Sequence, residues 1–65
     1  MTQIKFGDLK CNQLFVYDID NNYYELMLKT QYGEYNAISI HNYFVCRFLD
    51  DDIVGKVGAI GILAQ

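Results

Sequence analysis

The strand-forming runs of this chain, with no proline anywhere, constrain its fold more than any other feature. Between Leu14 and Val57, short stretches rich in Tyr, Phe, Val and Ile alternate with polar turns. Aromatic and β-branched side chains pack well on a pleated surface, whereas Asp, Asn and Gly favour turns. The pattern therefore predicts an all-β protein built as a small antiparallel meander.

Alternation of side chains places the strands within these runs. The predicted strands span residues 13–19, 23–30, 35–40, 43–48 and 53–57. In the second of them, Tyr24, Leu26 and Leu28 share one side of an extended chain, and we expect this side to face the core. The other side carries Tyr23, Glu25, Met27 and Lys29.

The best hairpin signal is His41-Asn42, which lies between the third and fourth runs. Asn tolerates positive φ, so a two-residue loop with Asn42 in that conformation is expected. Such a loop places Ile38 opposite Val45 and Ala37 opposite Cys46.

Gly7-Asp8 interrupts the N-terminal segment and predicts one short helical turn near residues 8–12, with Asp8 as its cap. Asn12 then occupies a left-handed position, and Leu9 and Phe15 anchor the turn on the core. Five short strands and one turn predict a single domain, residues 1–65, folded as a strongly bent SH3-like barrel. An oligonucleotide-binding barrel normally needs a longer chain and ranks second.

The composition predicts more apolar surface than a chain of this length can bury. Of the 65 residues, 52% are hydrophobic and 15% aromatic, and a domain this small buries only about 60% of its unfolded surface. We expect self-association through the apolar residues 57–64, or another protein, to cover the excess. That segment is too short to cross a bilayer. Without a signal peptide, a cytoplasmic location is expected.

The charge balance disfavours nucleic acid as a partner. Five Lys and Arg residues stand against eight Asp and Glu, for a net charge of −3, so few cations are present to neutralise phosphates. An acidic surface of this kind either meets a basic protein or is simply solvated. Cys11 and Cys46 are expected to be free thiols in a reducing compartment.

Several short motifs resemble small proteins encoded by bacteriophages. The opening run from Phe6 to Lys10, Phe-Gly-Asp-Leu-Lys, is followed by a strand containing Phe15, as in that group. Later similarities are Leu28-Lys29-Thr30, Asn36-Ala37 and the Phe-Leu-Asp-Asp-Asp run at 48–52, so that the resemblance spans residues 4–57. The chain departs from the pattern at Asn12, where glycine is usual, in a longer loop at 18–22 and in lacking a Thr-Gly turn. The resemblance implies a phage origin and a small β-barrel fold, and no activity or site.

Two acidic segments are candidate metal sites. Residues 18–22, Asp-Ile-Asp-Asn-Asn, begin like a calcium loop, but Tyr23 stands at the glycine position and Lys29 at that of the bidentate Glu. Asp50, Asp51 and Asp52 are adjacent, and three neighbouring carboxylates do not all reach one ion. We therefore expect neither a metal nor a cofactor, and interpret the acidic turn as solvated or as an edge that recognises a basic partner.

Cys46 and His41 are the only pairing of a nucleophile with a base. Five residues apart on one strand, they project to opposite faces, and an orienting third group is missing from the sequence pattern. Cys46 is expected to be a small buried hydrophobe. We therefore predict that the protein is not an enzyme.

Six tyrosines are unusual in so short a chain. Tyr23, Tyr32 and Tyr43 lie beside predicted turns, where packing explains them less well, and tyrosine is enriched at interface hot spots. Together with Asp50, Asp51 and Asp52, these tyrosines form the predicted protein-interaction surface. The functional hypothesis is a phage accessory protein that binds a host protein, as an inhibitor of a host defence or nucleic-acid enzyme. The alternatives are a nucleic-acid-binding barrel, with tyrosines stacking on bases, and a self-assembling virion component.

Overall fold

The described part of the chain, residues 2–20 and 23–57 with only the backbone of 18–20 and 23, forms one antiparallel sheet in the computed structural model. Its six strands are β1 (Gln3–Lys5), β2 (Leu14–Asp20), β3 (Tyr23–Tyr32), β4 (Tyr35–Ser39), β5 (Val45–Cys46) and β6 (Ile53–Lys56). They lie in the order β1-β6-β2-β3-β4-β5, so β1 and β5 are the outer strands. In these residues, no helix has the length and hydropathy needed to cross a membrane.

The predicted all-β class is confirmed, and the structure adds a strand at the N-terminus. The sequence predicted five strands, whereas Gln3–Lys5 forms a sixth by pairing with β6, with Ile4 opposite Val54. The single helical turn is a 3-10 turn at Phe6–Asp8, so it begins two residues and ends four residues earlier than predicted, and Asp8 is its last residue and not its cap. Leu9 N–H closes the turn by donating to the Phe6 carbonyl. Asn12 has φ 71°, as predicted.

Three phenylalanines form the centre of the core. The rings of Phe6 and Phe48 stack with centroids 5.0 Å apart, and Phe15 meets both edge-on at 5.3 Å. Edge-to-face and offset stacked pairs are the favoured geometries of aromatic rings. The other buried residues of this cluster are Leu9, Met27, Ala37 and Val54. The 3-10 turn and the segment after β5 thus both pack on the side of the sheet that carries Phe15, the inner face.

The predicted core side of β3 is wrong. Met27 is fully buried and Glu25 is only 2% exposed, whereas Tyr24 is 52% exposed. Met27 lies opposite Phe15, so the inner face carries Glu25 and Met27. A buried carboxylate is tolerated there because Ser39 Oγ donates to Glu25 Oε2 at 2.8 Å.

The outer face of the sheet is also apolar. Leu14 lies opposite Leu28, Leu28 opposite Ile38, and Ile38 opposite Val45, so one row of aliphatic side chains crosses four adjacent strands. All four residues are half-buried. Two of the residues assigned to the core from alternation, Leu26 and Leu28, therefore belong to this outer face.

The hairpin between β4 and β5 has the predicted register and a longer loop. Ile38 pairs with Val45 and Ala37 with Cys46, which confirms the prediction. Ser39 N–H donates to the Phe44 carbonyl, and Tyr43 N–H donates back to the Ser39 carbonyl, so four residues form the loop. Tyr43, and not Asn42, has the positive φ, at 61°.

Candidate functional site

The residues predicted to form one interaction surface lie at two ends of the sheet. β3 runs from Tyr23 to Tyr32, and ten extended residues span about 30 Å. Tyr32 pairs with Tyr35 at the β3–β4 turn. The loop that contains Tyr43 lies at the opposite end, because Ile40 N–H donates to the carbonyl of Leu26.

The acidic turn lies at the Tyr32 end. Gly7 N–H donates to the Asp50 carbonyl and Phe6 N–H to the Asp52 carbonyl, so the turn is joined to the 3-10 turn. A cleft of about 320 Å³ lies between these two turns and the ends of the central strands. Its lining residues include Lys29, Gln31 and Asn36. Asp50 lines it as well, which brings the acidic turn and the Tyr32 end of β3 together.

The three carboxylates of this turn have different environments. Asp52 Oδ2 accepts a hydrogen bond from Leu49 N–H at 2.7 Å, so this side chain holds the turn itself. Asp51 is almost fully exposed and lies 3.8 Å from Lys5 Nζ in a surface ion pair. Such a pair is worth little because solvent screens it. Asp51 is therefore more open to a partner than Asp52 is.

Exposed apolar side chains gather at the other end of the sheet. Tyr43 is 75% exposed, Tyr24 52%, and Ile40 and Phe44 40% each. We call these four residues the turn surface. Tyr43 is the notable member, because a bulky residue at positive φ is a conformational outlier. Such outliers persist when the surrounding structure imposes them, and they cluster at functional sites.

A cleft of about 390 Å³ opens beside the turn surface, and we call it the Glu25 cleft. Its lining residues are Tyr24, Glu25, Leu26, Ile40 and His41. The Glu25 carboxylate accepts from Ser39 Oγ at 2.8 Å and from Asn42 Nδ2 at 3.5 Å. Ser39 Oγ in turn accepts from Asn42 N–H, so the loop is built around this carboxylate.

Cys46, the possible nucleophile, is a half-buried residue of β5. It packs against the core cluster in β5, opposite Ala37, and burial raises the pKa of its thiol above 9.0. A catalytic cysteine needs the opposite shift, because the thiolate is the nucleophile. His41 is exposed in the loop. Cys11 is exposed, and both thiols are free.

No group of three or more His, Cys, Asp or Glu residues in the described part of the chain is arranged to hold a metal ion. The calcium-like segment 18–22 lies partly outside the described residues. The side chain of Tyr23 and the self-association segment beyond Val57 lie outside them too, so these predictions stay predictions.

The sequence did not identify Tyr24 and Ile40 as exposed residues of the site. Tyr24 was assigned to the core by alternation, and Ile40 to the end of a strand. The available signal was Glu25, a carboxylate inside a strongly apolar run, since a buried acid needs a specific partner.

Comparison with known proteins does not assign the chain to a family. No protein-family model, no curated protein and no solved structure matches the chain.

Proposed function

We propose that this protein is a non-enzymatic interaction module that binds another protein through the turn surface. The observation that carries the proposal is Tyr43, which is 75% exposed and has φ 61°. A left-handed tyrosine loses about 1–2 kcal/mol relative to an ordinary conformation. In Tyr43 the strained conformation holds an aromatic side chain in solvent, so packing within the chain does not offset the free energy of the strain.

The neighbours of Tyr43 suit a contact with protein. Tyr24, Ile40 and Phe44 add exposed apolar area around it. Tyrosine and phenylalanine are enriched in interfaces, and tyrosine supplies contact area at low entropic cost. The net charge of −3 favours a basic partner over a phosphate backbone.

The origin and the finer fold belong to the same proposal. The resemblance to small bacteriophage proteins supports an accessory protein that acts in the host cytoplasm. In that role the protein would inhibit a host defence enzyme or a nucleic-acid enzyme. The order β6-β2-β3-β4-β5, a meander whose last strand returns beside its first, supports an SH3-like barrel with β1 added outside β6.

A pull-down with matched variants tests this function. Tagged protein is incubated with bacterial host lysate, with and without nuclease, and captured proteins are identified by mass spectrometry. Tyr43→Asn removes the ring but keeps a residue that accepts positive φ. Tyr32→Ala is the control, since Tyr32 is 69% exposed, close to the value for Tyr43, but lies at the other end of the sheet.

One stoichiometric protein that survives nuclease, is lost with Tyr43→Asn and remains with Tyr32→Ala is the expected result. Loss with Tyr32→Ala alone would transfer the function to the acidic end and contradict the proposed surface. Capture only through nucleic acid would replace the proposal by the nucleic-acid-binding alternative. Recovery of the bait alone, above monomer mass, would replace it by self-assembly.

A further inference from the structure

Within the described part of the chain, β5 pairs with a neighbouring strand on one side only. It is the last strand in the order of the sheet, beside β4. The chain follows β4 beyond both ends of β5. The Phe44 carbonyl accepts from Ser39 N–H, and the Asn36 side chain forms two bonds of 2.8 Å with the backbone of Phe48. Residues 44–48 therefore lie along β4 as one extended piece, which we call the edge segment.

Alternate backbone groups of the edge segment point away from β4. In an antiparallel pair, residues whose N–H and C=O face the neighbouring strand alternate with residues whose groups face the other way. Phe44 and Phe48 bond towards β4, and Cys46 falls between them in the same alternation. The N–H and C=O of Val45 and Arg47 consequently face outward. A row of this kind is a template for another strand.

The sequence of the edge segment does not protect it from pairing. It reads Phe-Val-Cys-Arg-Phe, in which aromatic and β-branched residues favour strands. Proteins commonly block such edges with proline or lysine, and the segment contains neither. Its one charge is that of Arg47.

We propose that the edge segment pairs with the edge segment of a second copy of this chain, antiparallel and about a two-fold axis at Cys46. The inference goes beyond the proposed function, because it concerns a different surface. In this register Val45 lies opposite the partner's Arg47, and the same pair recurs on the other side of the axis. The outward backbone groups of both residues are then used, which gives four hydrogen bonds between the copies. An interface in which the same patch meets itself is the usual form of a two-fold dimer.

The neighbouring registers are less favourable. An axis at Val45 would place Arg47 opposite the partner's Tyr43, which has φ 61° and is not part of a strand. An axis at Arg47 would place two arginines directly opposite each other, and like charges in that position are destabilising. The axis at Cys46 keeps all four bonds and opposes no like charges.

The dimer should be weak and should present two turn surfaces. Five residues of edge form a small contact compared with a standard protein interface, so a dissociation constant in the micromolar range or above is expected. The loop of the turn surface precedes the edge segment in each copy. Antiparallel pairing therefore carries the two loops to opposite ends of the interface, and the dimer can bind two partner molecules.

Two measurements on the full chain test the pairing without any host protein. Sedimentation equilibrium from micromolar to millimolar concentration should show a reversible equilibrium between monomer and dimer. In a mixture of ¹³C-labelled and unlabelled chains, an isotope-filtered NOE should connect the Cys46 Hα atoms of the two copies. That contact is specific to the register, because opposite residues without mutual hydrogen bonds have Cα atoms about 4.5 Å apart.

A matched pair of variants at Val45 tests which residues are opposed. Val45→Lys places a like charge opposite the partner's Arg47 twice and should weaken the dimer about tenfold, whereas Val45→Glu should strengthen it severalfold. Both variants put a charge at the same half-buried position. The Arg47 guanidinium has five donors, and one bonds to the Glu34 carbonyl of its own chain at 3.2 Å. Ile53→Lys, at an exposed position on β6, changes the net charge equally and should leave the dimer unchanged.

A monomer over the whole concentration range would overturn the proposal, as would a dimer without the Cys46 contact or a mass above that of a dimer. Equal effects of Val45→Lys and Val45→Glu, in chains whose amide shifts show that they are folded, would also overturn it. If either variant failed to fold, the NOE of the unmodified chain would still decide. A monomer that captures one host protein would contradict the dimer alone. A dimer with the Cys46 contact that captures no host protein would support the dimer and contradict the proposed function.

Discussion

Lys29 Nζ donates to the Phe6 carbonyl at 2.9 Å and stands 4.6 Å from the centroid of the Phe6 ring. The same ammonium donates to the Leu9 carbonyl at 2.6 Å. One cation from the middle of β3 thus binds two carbonyls of the 3-10 turn, one at its first residue and one just beyond its end. Charge-assisted bonds of this kind are stronger than neutral ones.

Lys29→Met should therefore destabilise the protein. Methionine keeps most of the side-chain volume but leaves both carbonyls without their donor, and the expected loss is about 2 kcal/mol. Urea unfolding followed by circular dichroism measures it. Lys56→Met, at an exposed position on β6, is the control. A loss below about 0.5 kcal/mol, which is typical of surface substitutions, would show that Lys29 is not structural.

Replacing Tyr43 by glycine should stabilise the fold while it abolishes binding. Glycine adopts φ near 61° without strain, so a gain of about 1 kcal/mol is expected in thermal or urea unfolding. Tyr43→Ala retains the strain and should show no such gain. If Tyr43→Gly were clearly destabilising, the ring would be contributing to the fold and not only to a partner surface.

Ser39→Ala should cost about 1–3 kcal/mol, because the buried Glu25 carboxylate loses the hydrogen bond that Ser39 Oγ donates at 2.8 Å. A double-mutant cycle with Glu25→Leu, which removes the acceptor and keeps a side chain of similar size, separates the pair from its surroundings. A positive coupling energy is the expected outcome. Additive losses would mean that the two side chains act independently.

Gly7→Ala should displace the acidic turn. A Cβ at Gly7 would lie 2.8 Å from the Asp50 Cβ and 3.1 Å from the Asp50 carbonyl oxygen, so one of the two turns must move. Overpacking of this kind typically costs about 1–3 kcal/mol. Amide shifts at residues 49–52 report the displacement. An unchanged spectrum there would show that the two turns are not tightly packed.

Cys46 should make stability fall at alkaline pH. Burial raises the pKa of its thiol above the ordinary value of 9.0, so the folded chain keeps a proton that the unfolded chain releases. Stability is then complete below pH 9.0 and declines as the pH rises from there through the folded-state pKa. Cys46→Ala should remove this part of the decline. Alkylation by iodoacetamide should also be faster at exposed Cys11 than at Cys46.

Local patterns predicted the strands of this protein well and the direction of their side chains less well. The β4–β5 register followed from the loop sequence, and the left-handed Asn12 from its residue type. β3 was misjudged because Glu25 and Lys29 look like solvent-facing residues. Both are satisfied by groups distant in the sequence, namely Ser39 and the carbonyls of the 3-10 turn.

The candidate site was predicted in part for the same reason. Tyr32 and Tyr43 were expected at exposed turns, and both are exposed. Their separation along the sheet, and the placement of Tyr24 and Ile40 at one cleft, depend on pairings between strands. No alternation rule within one strand contains that information.

Because β3 carries apolar side chains on both of its faces, hydrophobicity alone discriminates poorly between its correct alignment and one shifted by a single residue. Such a slip would exchange Met27 for Leu26 or Leu28 against the phenylalanine core, a swap of similar volume. It would also turn Glu25 and Lys29 away from their partners. The two charged side chains therefore fix the register of the central strand. A variant that lacks both should sample several strand registers instead of one native state.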